Sequence, residues 1–215
     1  VSYHAPDQLP SPDPFICKAA ALTKRIKMGP GIRALPYFHP LQVATDAAVC
    51  DHLTDGRYMA GFGLGIGDGG GLRGKLPAPQ REMMREAIDI ILKAWGSAEP
   101  FDWNGQVWQG TDWKIIPKPL TQPRPDVGIA CARTDTTLEI AAEKGFFPLM
   151  SWTNPADQIA GMMQTYLNTP NPADPPRRDR MRVSRYVYVA DSVEQAKRDL
   201  KDADLVPIRS GLGLR

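Results

Sequence analysis

Residues able to do chemistry gather at a few junctions along this 215-residue chain. Arg133, Thr134, Asp135, Thr136 and Thr137 follow one another between an apolar stretch that reads as a strand (126–132) and a helix-forming run (136–144). A guanidinium, threonine hydroxyls and the free N–H groups of a helix start together suit a phosphate. The plain alternative is an ordinary cap, with Asp135 or Thr136 holding the helix N-terminus. His4 sits between Tyr3 and a proline-rich stretch. Its imidazole can act as acid, base or hydrogen-bond donor near neutral pH, although a lone histidine is usually a polar surface residue. Glycines punctuate the chain at Gly29 and Gly31, at Gly61, Gly63 and Gly65, and along 67–71. The spacing of Gly65, Gly67 and Gly70 imitates a dinucleotide fingerprint, but no acidic residue on a following strand supports one. The stretch 68–71 is a candidate closing loop.

Other polar residues have structural readings. His39 precedes a proline at a helix start, and His52 falls near that helix's end, where a cation suits the macrodipole. Arg57 follows a turn glycine at the base of a strand and is expected to form a structural salt bridge. Trp103, Trp108 and Trp113 are expected to pack, whereas Trp152, at a strand end, is a candidate pocket residue.

These residues need elements to hold them. Helices are expected near 13–23, 40–53, 80–95, 136–144, 156–167 and 192–200, the last capped by Ser192. Strands are expected over 26–35, 57–63, 126–132, 147–152 and 181–190, with a hairpin between 101 and 113. Alternating strand and helix implies a parallel sheet with helical crossovers, either open or closed into a barrel. The net charge of +2, with both signs interspersed, argues against nucleic-acid or membrane partners. The arginine-rich stretch 177–182 reads as a solvated turn. Cys17, Cys50 and Cys131 are far apart in sequence and fit neither a disulfide framework nor a zinc site, so a reducing cytoplasm is the expected compartment and no metal is expected. No signal peptide is expected from the first residues.

Two ordered blocks go further. His39-Pro40-Leu41, then Asp51-His52-Leu53-Thr54-Asp55-Gly56-Arg57, then a strand ending Gly61-Phe62-Gly63 resemble the bacterial-luciferase superfamily. Pro123-Arg124-Pro125-Asp126-Val127 and the run to Gly145 are similar to that family's phosphate-site strand, loop and helix. The resemblance implies an α/β fold, a TIM-type (β/α)₈ barrel forming one domain over 1–215. Such barrels usually need about 250 residues, so the chain is expected to be incomplete at both ends. It also implies a monooxygenase in which reduced FMN, supplied by a separate flavin reductase, meets O₂ and oxidises a small organic substrate through a flavin C4a-peroxide. His4 falls at the catalytic position. Gly31, Ile32, Gly63, Arg133, Thr134, Thr137 and Trp152 fall at or near cofactor positions, with a non-proline cis peptide and a bulge expected at Gly31–Ile32 beneath the ring. Leu64 departs from luciferase's closest relatives, which carry an arginine there. Two alternatives are an F420-dependent dehydrogenase or reductase and a non-catalytic partner subunit. A homodimer is expected.

Overall fold

The computed structural model describes residues 11–65, 78–132, 135–151, 154–185 and 187–201. His4, Arg133, Thr134, Trp152 and the glycine-rich stretch 66–71 lie outside the described residues. The backbone divides into two compact units, Val1–Ala130 and Cys131–Arg215.

The first unit runs α1 (Pro12–Ala21), β1 (Arg33–Ala34), a 3₁₀ turn (Leu35–Tyr37), α2 (Pro40–Leu53), β2 (Met59–Gly63), α3 (Gln80–Gly96), β3 (Phe101–Asn104), β4 (Gln109–Trp113) and β5 (Asp126–Cys131), which reaches the boundary. Strands β1, β2 and β5 are parallel, with Arg33 opposite Phe62 and Gly61 opposite Gly128. β3 and β4 form the expected antiparallel hairpin.

Local chemistry fixes these elements. Proline at the first turn suits α2, because its missing N–H would have no partner there. The His39 ring Nδ1 accepts from Leu41 N–H at 3.3 Å. α2 ends where Asp55 (φ 53°) and Gly56 (φ 73°) turn the chain through left-handed conformations. α3 buries Met84, Ala87, Ile88, Ile91 and Trp95 at helical spacing, and Trp95 Nε1–H donates to Ala44 O of α2 at 3.0 Å. The hairpin is held to α3 by Glu86, whose carboxylate accepts from Trp103 Nε1–H and from the N–H groups of Val107 and Trp108 at 2.9–3.0 Å.

The second unit carries α4 (Asp135–Glu143), β6 (Phe147–Met150), α5 (Ala156–Asn168), β7 (Arg182–Val183) and α6 (Val193–Asp199). β6 and β7 are parallel. Gly145 ends α4 at φ 64°, and Ser192 Oγ caps α6 by accepting from Gln195 N–H at 3.1 Å. The strand expected over 181–190 shrinks to Arg182–Val183. Beyond it, Val187 and Val189 are 81% and 87% exposed, so the alternation there has no surface to bury against. Arg177 and Arg178 of the arginine-rich turn are exposed as expected, but the Arg180 side chain is only 17% exposed and pairs with Asp174 at 2.9 Å, while Arg177 lies 3.6 Å from the same residue. Among the described residues, no helix is long and apolar enough to cross a membrane.

Candidate functional site

The strand expected over 26–35 is interrupted where the chemistry was anticipated. Met28 bridges Tyr58, and the next paired residue is Arg33, opposite Phe62. One chain therefore advances five residues while its neighbour advances four, which is a bulge. The Gly31–Ile32 peptide bond within it is cis.

Side-chain alternation then sorts β2 and β5 into two faces. Ala60, Phe62, Val127 and Ile129 are buried on one face, where Phe62 stacks on Trp95 of α3 at 6.3 Å. The opposite face carries Gly61, Gly63, Gly128 and Ala130, joined by the Ile32 side chain. The bulge explains the first of these. A Cβ at Gly61 would lie 1.8 Å from Pro30 O, so only glycine lets the bulged backbone approach. A Cβ at Gly63 would meet Ile32 Cδ1 at 2.7 Å and Ala130 Cβ at 3.2 Å, whereas one at Gly31 would meet nothing within 4 Å. The result is a floor of backbone and small side chains at the C-terminal ends of parallel strands, where barrel enzymes carry their chemistry. Gly128 and Ala130 were not singled out from the sequence, although small residues at period two beside Gly61 and Gly63 are a readable signal.

In the second unit, Thr137 is buried in the first turn of α4, two residues beyond Asp135. Thr165 Oγ1–H donates to Asp135 Oδ1 at 3.4 Å. The residues just before α4, Arg133 and Thr134, are outside the description, so of the expected phosphate ligands only Thr137 has a described position.

The remaining candidates are structural. His39 caps α2, and burial lowers its pKa below the usual 6.5. His52 Nε2 bonds Lys118 O at 2.9 Å. Among the described residues, Arg57 forms hydrogen bonds in place of the expected salt bridge. Its guanidinium donates to the carbonyls of Thr54 (2.9 Å) and Ala20 (3.0 Å) and to Thr23 Oγ1 (3.1 Å), tying the turn to the end of α1. Two features escaped the sequence. Arg33 is buried and paired with Asp13 of α1 and with Asp46 of α2, the latter at 2.7 Å, while Tyr58 Oη–H donates to Asp13 Oδ1 at 2.8 Å. Cys17 and Cys50, 33 residues apart, bring their sulfurs within 3.7 Å. Burial, with Asp13 and Cys17 nearby, pushes the Cys50 thiol well up, and burial takes Cys131 up to about 12, so neither is a ready thiolate. Among the described residues, no group of acidic, histidine or cysteine side chains is arranged to hold a metal.

The luciferase-like monooxygenase family model matches residues 1–209, and the chain belongs to that family. The structural likeness assigns its α/β architecture to the luciferase-like TIM-barrel class. It is 34% identical over 207 residues to 4-hydroxyprotoasukamycin monooxygenase of Streptomyces nodosus subsp. asukaensis, covering 89% of this chain and 54% of that protein. It is 28% identical over 201 residues to the oxygenase component of the flavin-dependent trigonelline monooxygenase of Acinetobacter baylyi, covering 91% and 55%. Among solved structures it resembles the oxygenating constituent of 3,6-diketocamphane monooxygenase of Pseudomonas putida, a type II Baeyer–Villiger monooxygenase in complex with FMN. The TM-score is 0.82 at 25% identity, covering 99% of this chain and 66% of that one. The chain thus spans just over half the length of the first two relatives.

Proposed function

We propose that this chain forms the flavin-holding part of a monooxygenase that uses reduced FMN and O₂ to oxidise a small organic substrate. The observation that carries the reading is the side-chain-poor floor around the Gly31–Ile32 bulge and Gly63, in a member of a family whose relatives are named as flavin-dependent oxygenases. When bound, reduced FMN together with O₂ supplies the oxidising chemistry. Gly31, Gly63 and the Ile32 side chain support the ring without crowding it. Thr137, with Arg133 and Thr134, binds the phosphate through hydroxyl, guanidinium and helix-start N–H donors. His4 holds or delivers a proton beside the reacting atoms, and Trp152 lines the pocket. A separate reductase supplies the reduced flavin, as the name "oxygenase component" of the trigonelline relative supports.

Anaerobic titration with FMNH₂ and, separately, reduced F420, followed by admission of O₂ and substrate-independent spectroscopy, tests the reading. Saturable FMNH₂ binding and an oxygen-dependent spectral change are expected. Binding of reduced F420 alone would replace it with the dehydrogenase reading, and binding of neither would favour a non-catalytic subunit.

A further inference from the structure

Two thiols meet between α1 and α2 in a register that buried ion pairs set. Arg33 of β1 joins Asp13 of α1 to Asp46 of α2, the latter at 2.7 Å. Cys17 and Cys50 each stand four residues beyond one of those carboxylates, so each lies one turn further along the same helix face. A disulfide brings its sulfurs to about 2.05 Å, so this pair, at 3.7 Å, must close by about 1.7 Å. α1 is also fastened on both sides of Cys17. Asp13 holds its start through Arg33 and through Tyr58 Oη–H, and the Arg57 guanidinium donates to Ala20 O beyond it at 3.0 Å. These contacts keep the helix from sliding, so the sulfurs stay opposed while reduced.

The two thiols differ in access. Cys17 is half-buried, whereas Cys50 is only 5% exposed. Burial, with the Asp13 carboxylate nearby, holds the proton on Cys50. An oxidant arriving from solvent therefore meets Cys17 first. An oxidised thiol with no partner climbs on to sulfinic acid, whereas one with a thiol in reach condenses with it.

We propose that Cys17 and Cys50 form a peroxide-modification site, which closes to a disulfide tying α1 to α2. The Cys17 sulfur attacks hydrogen peroxide, the O–O bond breaks, and a sulfenic acid and one water result. The Cys50 sulfur then attacks the Cys17 sulfur. The S–O bond breaks, and the departing hydroxide takes the Cys50 proton to become a second water. The two thiols together lose two electrons, and the peroxide gains them. A dithiol reductant reopens the bond by exchange. The loop that the bond closes contains β1 and the Gly31–Ile32 bulge. Crosslinking it removes conformations from the unfolded chain, which makes the oxidised form the more stable one. Nothing in this site requires a flavin.

The test treats the full chain with hydrogen peroxide, maps its peptides without reduction, and follows thermal unfolding. We expect a linked Cys17–Cys50 peptide, with free thiols in the unfolded chain falling from three to one. The Tm should rise by about 5–10 °C, and dithiothreitol should reverse the rise. Cys17→Ser, treated in the same way, should give neither the linked peptide nor the rise. Accumulation of Cys17 sulfinic acid with Cys50 still a thiol overturns the proposal. So does crosslinking between chains, linkage without a rise in Tm, or a rise that persists in Cys17→Ser. Should that variant fail to fold, reduction of the oxidised wild type supplies the control, and a rise that survives dithiothreitol counts equally against the proposal.

Discussion

Gly61 and Gly63 lie two residues apart on one face of β2, yet an added methyl group should affect them differently. At Gly61 the new Cβ would fall 1.8 Å from Pro30 O, a backbone atom with nowhere to move. Gly61→Ala should therefore cost about 3 kcal/mol, the upper end of ordinary overpacking, and show as a lowered urea midpoint. At Gly63 the close atoms are Cδ1 and Cγ1 of Ile32, at 2.7 and 2.9 Å, and an isoleucine end can turn aside. Gly63→Ala should cost under about 1 kcal/mol, within the range of tolerated core changes, but displace Ile32 on the proposed ring floor. The checking measurement pairs each midpoint with FMN affinity. A stable Gly63→Ala variant with unchanged affinity would argue against that floor as the ring site.

The elements are held in register by polar side chains whose roles depend on charge. Arg33 joins β1 to Asp13 of α1 and Asp46 of α2 from a nearly closed site, where burial opposes its proton but the two carboxylates outweigh that effect. Arg33→Met leaves the Asp13 carboxylate buried beside Tyr58 without its counter-ion, and should cost about 3–5 kcal/mol in denaturant unfolding. Adding Asp13→Asn should recover much of the loss, because the uncompensated charge is then gone. His39 contributes a smaller and pH-dependent amount. Its neutral ring nitrogen accepts the first free N–H of α2, and its lowered pKa means that the folded chain binds fewer protons than the unfolded one. That contribution is complete above the ordinary value of 6.5 and fades as pH falls below it. Since the ring is largely exposed, the loss between pH 7.5 and 5.5 should stay under about 1 kcal/mol, the scale of a single cap. His39→Asn, which caps without titrating, should flatten the wild-type difference, whereas an identical pH profile would assign the dependence to other groups.

Across the whole molecule, what could be read from the sequence followed the range of the forces involved. Helical periodicity in 80–95 and the apolar run of 126–132 are local signals, and both elements formed almost as expected. The residues 187–190 were expected to continue a strand but form none, since a strand also needs a neighbour. The Gly31–Ile32 bulge was accessible only through family resemblance. Its cause, the approach of Pro30 O to Gly61, joins segments 31 residues apart. The Arg33–Asp13–Asp46 cluster and the Cys17–Cys50 contact are likewise tertiary, and no spacing rule announces them. A ligand that engages this assembled geometry must stabilise the chain as a whole, because the unfolded chain has no equivalent site. At 100 times its dissociation constant FMN should add about 2.7 kcal/mol to folding. For a domain of this size that corresponds to a rise of roughly 5–11 °C in Tm, at 2–4 °C per kcal/mol. Differential scanning fluorimetry with FMN, riboflavin, F420 and inorganic phosphate would check it. A concentration-dependent rise with FMN that exceeds the rise with riboflavin supports a contribution of the phosphate to binding. A rise with F420 alone transfers the same argument to the deazaflavin, and a flat response to every ligand would remove the flavin from the account of this fold.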